Sequence, residues 1–208
     1  YDFTTTEQIC MGIGMDTNIC ANADAFRKAY RIQKPFLLYA GRKDAGKNVH
    51  TLLRYFAEYK QRHGDSDLQL VLIGGGSIEI PASVRDDVYD LGFVSRQDKY
   101  DAMAAAELLC QPSHNESFSL VIMESWLCGR PVLVHSQCAV TRDFARRANG
   151  GLYFRNYFEF EGCVQYILTH PEQARTMGQN GGAFVRENFD WDVIVEKYRA
   201  FFAKLTEE

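Results

Sequence analysis

The chain's six cysteines, Cys10, Cys20, Cys110, Cys128, Cys138 and Cys163, include no Cys-x-x-Cys pair and no Cys/His spacing of the zinc-binding kind. That excludes a structural zinc module and leaves no metal site to propose. Free thiols are expected, because Cys110 and Cys128 fall in apolar segments as small hydrophobes and a chain with this much core needs no disulfide framework. No apolar run approaches the roughly 20 residues that span a bilayer. The opening YDFTTTEQIC has neither a charged leader nor an apolar signal core, so we expect a cytoplasmic chain. Met is missing from position 1, and the start at Tyr1 leads us to expect a piece of something longer. Basic blocks are missing too, beyond short groups such as Arg146-Arg147. With 23 basic against 27 acidic residues the net charge is -4, which excludes a general grip on nucleic acid and makes any phosphate recognition local. What is present is ordinary globular material: 208 residues, 46% apolar and 24% charged, enough for one full core.

The apolar pattern alternates between two periods. KPFLLYAG is a short apolar run ending at Gly41, followed by NVHTLLRYFAEYKQRH at helical spacing. LQLVLIGGG, VYDLGFV, ELLCQPS, RPVLVHS and GLYF read as further strands. QDKYDAMAAA, SFSLVIMESWLCG closed by Gly129, and VTRDFARRA read as helices between them. From Asn156 onward the chain reads as helical, with Pro171 opening one helix where no backbone donor is needed. Alternation of this kind predicts an α/β fold: a Rossmann-like, doubly wound parallel β-sheet with flanking helices and a helical C-terminal tail. We divide it into an extension or linker at 1–30, a Rossmann-like domain at 31–189 and a closing helix at 190–208. Ligands of such sheets bind beyond the carboxyl ends of the strands, where Gly41-Arg42, Gly74 to Gly76, Phe93 and Pro112 to Glu116 fall.

Two features there carry chemistry. SHNESFSLVIMES sets Glu116 and Glu124 eight residues apart. From helical rise and turn the two carboxylates are expected roughly 12 Å apart and within a quarter turn of each other, a span suited to a ligand with two hydroxyl clusters. GRKDAGKN, Gly41 to Asn48, satisfies G-x-x-x-x-G-K between a strand and a helix, the context of a phosphate-binding P-loop. It departs at the last position, because Asn48 stands where a hydroxyl would bind Mg²⁺, and LQLVLIG ends without a metal-holding acid. Arg42 and Lys47 still place two cations beside a helix start, which suits a diphosphate. A P-loop NTPase stays open as an alternative at this point.

Gly41-Arg42 with Lys47-Asn48, then Leu91-Gly92-Phe93-Val94, then Pro112-Ser113 leading to Glu116 and Glu124, then Gly129 with Pro131-Val132, occur in one order along the chain. That series resembles the nucleotide-sugar-binding C-terminal half of a family 4-like retaining glycosyltransferase of the GT-B fold, glycosyl transferases group 1. The similarity extends from ICMGIGMDTN, which resembles the family's linker, to the closing helix. The resemblance implies that Arg42 and Lys47 bind the donor diphosphate and stabilise charge on the leaving group. It implies that Glu116 faces the donor sugar, that backbone amides of Ser117, Phe118, Ser119 and Leu120 add donors beside it, and that Glu124 holds the ribose. It implies that Phe93 lies against or beside the base and that Gly41 and Val94 also belong to the donor-binding set. No cofactor is implied beyond a UDP-, GDP- or ADP-sugar as donor substrate. The acceptor, a sugar or lipid-linked glycan, would be met by an N-terminal domain absent here, so the isolated chain is expected to bind donor without transferring it. An apolar edge is expected where that half would pack, as is peripheral membrane contact in the full-length protein.

The chain departs from the family pattern in two places. Ser117 and Ser119 replace glycines that usually flank the phenylalanine, and Gln137 to Asp143 replaces a loop with paired glycines and a Glu. His114 and His135 stand close to the expected site, either as phosphate donors or as hydrogen-bonded structural histidines. A non-catalytic nucleotide-binding or assembly module, or a nucleotide-sugar epimerase, would use the same residues.

Overall fold

Runs rich in Val, Leu and Ile, too short for helices and bounded by glycine or proline, become strands buried along their whole length. Amphipathic stretches between them become the helices that cover both faces. The computed structural model describes residue 9 and residues 12–206; Cys10 and Met11 of the ICMGIGMDTN segment, and the first eight residues, lie outside the described residues. The order is α1 (Ala23–Tyr30), β1 (Phe36–Ala40), α2 (Val49–Arg62), β2 (Gln69–Ile73), β3 (Val88–Asp90), α3 (Arg96–Ala105), β4 (Leu108–Gln111) and α4 (Leu120–Leu127). Then come β5 (Val132–His135), α5 (Ala139–Ala148), β6 (Gly151–Phe154), α6 (Tyr157–Thr169), α7 (Pro171–Phe189) and α8 (Trp191–Thr206).

Among the described residues six strands pair in parallel in the order β3-β2-β1-β4-β5-β6. The order reverses between β1 and β4, so the connections after these two strands diverge and open a crevice at their carboxyl ends. Side chains alternate across β1. Phe36 and Leu38 face a core shared with α1, α3, α4 and α7, while Leu37 and Tyr39 face Leu52 and Phe56 of α2 and Phe160 and Val164 of α6. The expected α/β architecture is therefore what the chain adopts.

Local chemistry sets the helix ends. Asn22, Ser95 and Asn156 accept hydrogen bonds from backbone amides in the first turns of α1, α3 and α6. Pro171 opens α7 and Gly129 closes α4 with φ 77°. Close contact between α4 and α7 relies on glycine: a Cβ on Gly178 would lie 2.1 Å from the Gly129 carbonyl oxygen, and one on Gly181 would meet the Trp126 ring. Trp126 is fully buried and donates from Nε1 to the Gly150 carbonyl at 2.7 Å.

One helix departs from its expected start. SFSLVIMESWLCG was expected to be helical from near Ser117, but α4 begins at Leu120, because Ser119 takes a left-handed conformation, φ 69°. The interval from Glu116 to Glu124 is therefore not eight helical residues, and the 12 Å rise does not apply to it. α1 falls within the extension assigned to 1–30 and is a helix packed on α3, with Phe26 buried. Along α8, Trp191, Val195, Tyr198, Phe202 and Leu205 recur every three or four residues and are all exposed, an apolar stripe on one helix face. Among the described residues no helix is long and apolar enough to cross a membrane, and Cys20, Cys110, Cys128, Cys138 and Cys163 are free thiols. Burial pushes the Cys128 thiol up to about 12, so it behaves as a small hydrophobe rather than a nucleophile.

Candidate functional site

Three strand ends are stitched together by backbone hydrogen bonds. The Gly41 amide donates to the Ile73 carbonyl at 2.8 Å, Lys43 to Gly75 at 2.7 Å and Gly74 to Gly92 at 2.7 Å. These contacts bring the loops after β1, β2 and β3 so close that Gly74, at φ 122°, has no room for a side chain: a Cβ would lie 2.1 Å from the Gly41 oxygen. Lys43 locks the same junction. Its ammonium is almost wholly buried, donates to Asp90 Oδ1 at 2.8 Å and also reaches the Gly74 carbonyl. The sequence reading passed over Lys43, since a buried cation paired 47 residues away leaves no local signature.

On this platform opens a cleft of about 530 Å³ whose lining includes Gly41, Arg42, Phe93, Val94, Leu120 and Glu124. Arg42 points outward with 76% of its side chain exposed, and its ion pair is to Asp44 at 3.4 Å. A guanidinium so placed is desolvated at little cost when an anion arrives. Phe93 is 87% exposed and lies against Gly75, where a Cβ would come within 2.6 Å of its ring. It is an open aromatic platform. Val94 packs partly on the core behind it.

Lys47 and Glu116 form the next layer. Asp44 caps a short 3-10 turn, Ala45–Lys47, and Lys47 Nζ then reaches Glu116 Oε1 at 2.7 Å. The same oxygen accepts from Gln111 Nε2 at 3.1 Å, and both charged side chains are mostly buried. Asn48 is the bracket for this loop. Its Nδ2 donates to the Pro112 carbonyl at 3.0 Å and lies 3.0 Å from His114 Nε2, while its Oδ1 accepts from Thr51. Where a P-loop would offer a metal-binding hydroxyl, this chain spends the side chain on tying β1's loop to β4's.

Glu124, on α4, is held by a residue the sequence reading did not single out. Lys99 Nζ of α3 donates to both carboxylate oxygens, at 2.6 and 2.7 Å. Ser117 is exposed and Phe118 turns inward against Phe144 and Phe189, both lining a separate groove beside α5 and α7. Ser119 is buried with its hydroxyl unpartnered. Of the residues named from the sequence, then, Gly41, Arg42, Phe93, Val94, Leu120 and Glu124 share one cleft. Lys47 and Glu116 pair with each other, and Ser117 to Ser119 contribute a backbone turn. His135 stacks near His114, ring centroids 4.2 Å apart. Burial first, and His114 second, lower its proton affinity, which suits a neutral structural histidine better than a cationic phosphate donor.

The comparisons with known proteins bear on the family and the fold. The family described as Glycosyl transferases group 1 matches residues 22–184. The chain is 35% identical over 186 residues to a D-inositol 3-phosphate glycosyltransferase of Saccharomonospora viridis, covering 80% of this chain and 43% of that protein. It is 26% identical over 189 residues to a trehalose synthase of Rubrobacter xylanophilus, covering 84% and 44%. Among solved structures, the sucrose-phosphate synthase of Thermosynechococcus elongatus superposes with a TM-score of 0.75 at 23% identity, over 94% of this chain and 52% of that one. HepE of Anabaena, in complex with UDP-glucose, gives a TM-score of 0.76 at 18% identity, over 92% and 56%. These likenesses share the fold, and the chain spans about half the length of the curated relatives it matches. With the extent of the family match and the order of its cleft residues along a 3-2-1-4-5-6 sheet, the chain belongs to the glycosyl transferases group 1, as a C-terminal domain of the GT-B type.

Proposed function

We propose that this domain binds the nucleotide-diphosphate sugar of a retaining glycosyltransferase working in glycan or polysaccharide biosynthesis. The observation that carries this reading is the convergence of an exposed guanidinium, an open aromatic face and a clamped carboxylate, Arg42, Phe93 and Glu124, in one cleft at the sheet's switch point. In this reading the base lies along Phe93 and Val94, Glu124 accepts from the ribose, and the diphosphate reaches Arg42. Lys47 and Glu116 sit beside the sugar end. As the bond between the anomeric carbon and the diphosphate oxygen breaks, negative charge grows on the leaving phosphate. Arg42 and Lys47 are the cations placed to stabilise it, Lys47 turning part of its charge from Glu116.

The acceptor would come from a second domain. The half-length match to relatives and the exposed stripe on α8 both favour a partner half packed near this chain's closing helix. The domain alone would then bind donor without transferring it. Free thiols throughout the described residues favour a cytoplasmic setting. Calorimetric titration with UDP, GDP and ADP and with the triphosphates GTP and ATP, each with and without Mg²⁺, tests the reading. One diphosphate should bind without a Mg²⁺ requirement and weaken in Arg42→Ala and Lys47→Ala. Strictly Mg²⁺-dependent triphosphate binding, or no nucleotide binding at all, would contradict it.

A further inference from the structure

Glu124 cannot reach the cleft freely, because its two oxygens are already engaged by one ammonium. Lys99 sits in the first turn of α3, its backbone amide bonded to the Ser95 carbonyl at 3.0 Å, so its stem starts from the wall that carries Phe93 and Val94. From there Nζ crosses to α4 and meets Glu124 Oε1 and Oε2 at 2.6 and 2.7 Å, while lying 5.0 Å from the centroid of the Tyr100 ring. Both side chains line the cleft and are mostly buried. An ammonium that bridges both carboxylate oxygens fixes the torsion of that carboxylate. Oε2 keeps a lone pair for a second donor, and on Oε1 the competing contact is the Tyr100 hydroxyl at 3.5 Å, a long hydrogen bond that a ligand hydroxyl can displace. The pair therefore joins the wall proposed for the base to the wall proposed for the ribose, and sets the distance between them.

We infer that Lys99 is a positioning residue for ribose recognition: it presents Glu124 as a pre-aimed acceptor for two neighbouring hydroxyls, so that the cleft selects a ribonucleoside diphosphate over one lacking those hydroxyls. This rests on the donor-site reading above and goes beyond it in assigning discrimination to a residue that need not touch the ligand. A carboxylate left unclamped would sample several rotamers and lose part of its hydrogen-bonding advantage on binding.

The test measures binding of uridine diphosphate and its 2′,3′-dideoxy analogue to the whole chain and to Lys99→Met, Lys99→Arg, Glu124→Gln and the Lys99→Met/Glu124→Gln double variant, with GDP or ADP pairs substituted if one of those is the nucleotide that binds. Lys99→Met should weaken the ribonucleotide roughly tenfold and leave the dideoxy analogue within about twofold. Lys99→Arg, which can also offer two N–H groups to the carboxylate, should recover most of the loss. The double variant should bind no worse than Glu124→Gln alone. Because the dideoxy analogue is measured on the same variant, a general loss of folding would weaken both ligands equally. Equal weakening of both, or no weakening of either, overturns the role of Lys99 while leaving the donor site standing. A parent chain that binds no nucleoside diphosphate overturns the donor-site reading itself, and the inference with it.

Discussion

The two edges of the sheet carry cavities of comparable size, about 530 Å³ at the carboxyl ends of the strands and about 340 Å³ at the amino ends. Apart from Arg175, exposed beside the amino-edge cavity, their side chains are in different states. At the amino edge donors are spent on the protein's own carbonyls: Trp126 Nε1 on Gly150, Arg130 Nε on Ala104 at 2.9 Å, with Gly178 pressed against Gly129. At the carboxyl edge cations meet carboxylates contributed by other elements, Lys47 with Glu116 and Lys99 with Glu124, while Arg42 and Phe93 stand open to solvent. Volume alone does not separate a binding cleft from a packing seam. Unspent polar and aromatic surface on a rigid frame does.

If the comparison holds, changes at the amino edge should cost stability and changes at the carboxyl edge should cost ligand. The largest effect belongs to Trp126→Ala, which empties a fully buried site and leaves the Gly150 carbonyl with the Val132 amide as its remaining donor. About 3–5 kcal/mol of unfolding free energy should be lost in denaturant titration. Gly74→Ala comes next and crosses the two categories. Its φ of 122° and the 2.1 Å approach to Gly41 should destabilise by about 1–3 kcal/mol and also displace the Arg42 loop, so nucleotide affinity falls in the folded fraction. Arg42→Ala should weaken diphosphate binding about tenfold with stability changed by less than about 0.5 kcal/mol. Arg175→Ala, an exposed cation lining the amino-edge cavity, should change neither quantity beyond that range. If Arg175→Ala weakened nucleotide binding as much as Arg42→Ala, the contrast between the edges would be broken.

Smaller than the losses at Trp126, Gly74 and Arg42 is a pH dependence. Burial holds His135 below the ordinary imidazole range, so the unfolded chain binds its proton more readily than the folded one. That contribution to stability is present above pH about 6.5 and is lost as pH falls below it. Comparing thermal midpoints of the parent chain and His135→Phe between pH 8 and 5 should show the parent losing more on acidification. An identical decline in both would remove His135 from the account.

Most of the frame was legible in the sequence because it rests on local rules. Continuous Val/Leu/Ile runs such as LQLVLI leave no polar face and demand cover on both sides, which only a parallel sheet between helices provides. Gly41, Arg42, Phe93 and Glu124 were legible as cleft residues because each follows a strand end or sits in the helix after one. What the sequence could not reveal is non-local. The start of α4 lies at Leu120 because Ser119 is left-handed, which serine's own propensity does not announce, and it follows a Phe118 that packs on Phe144 and Phe189 from distant parts of the chain. α1 escaped notice because ADAFRKAY buries one residue fully, Phe26. Lys43 and Lys99 look like solvated loop or helix cations until the fold sets Asp90 and Glu124 opposite them.

The central claim is that the carboxyl-edge cleft is where a nucleotide sugar binds, and backbone hydrogen exchange with and without the diphosphate that binds tests it most directly. Slowed exchange at 41–48, 92–96 and 116–124, with 128–131 and 171–175 unchanged, is the expected result. Protection centred on 128–131 and 171–175, with the loops after β1 and β3 unaffected, would contradict it.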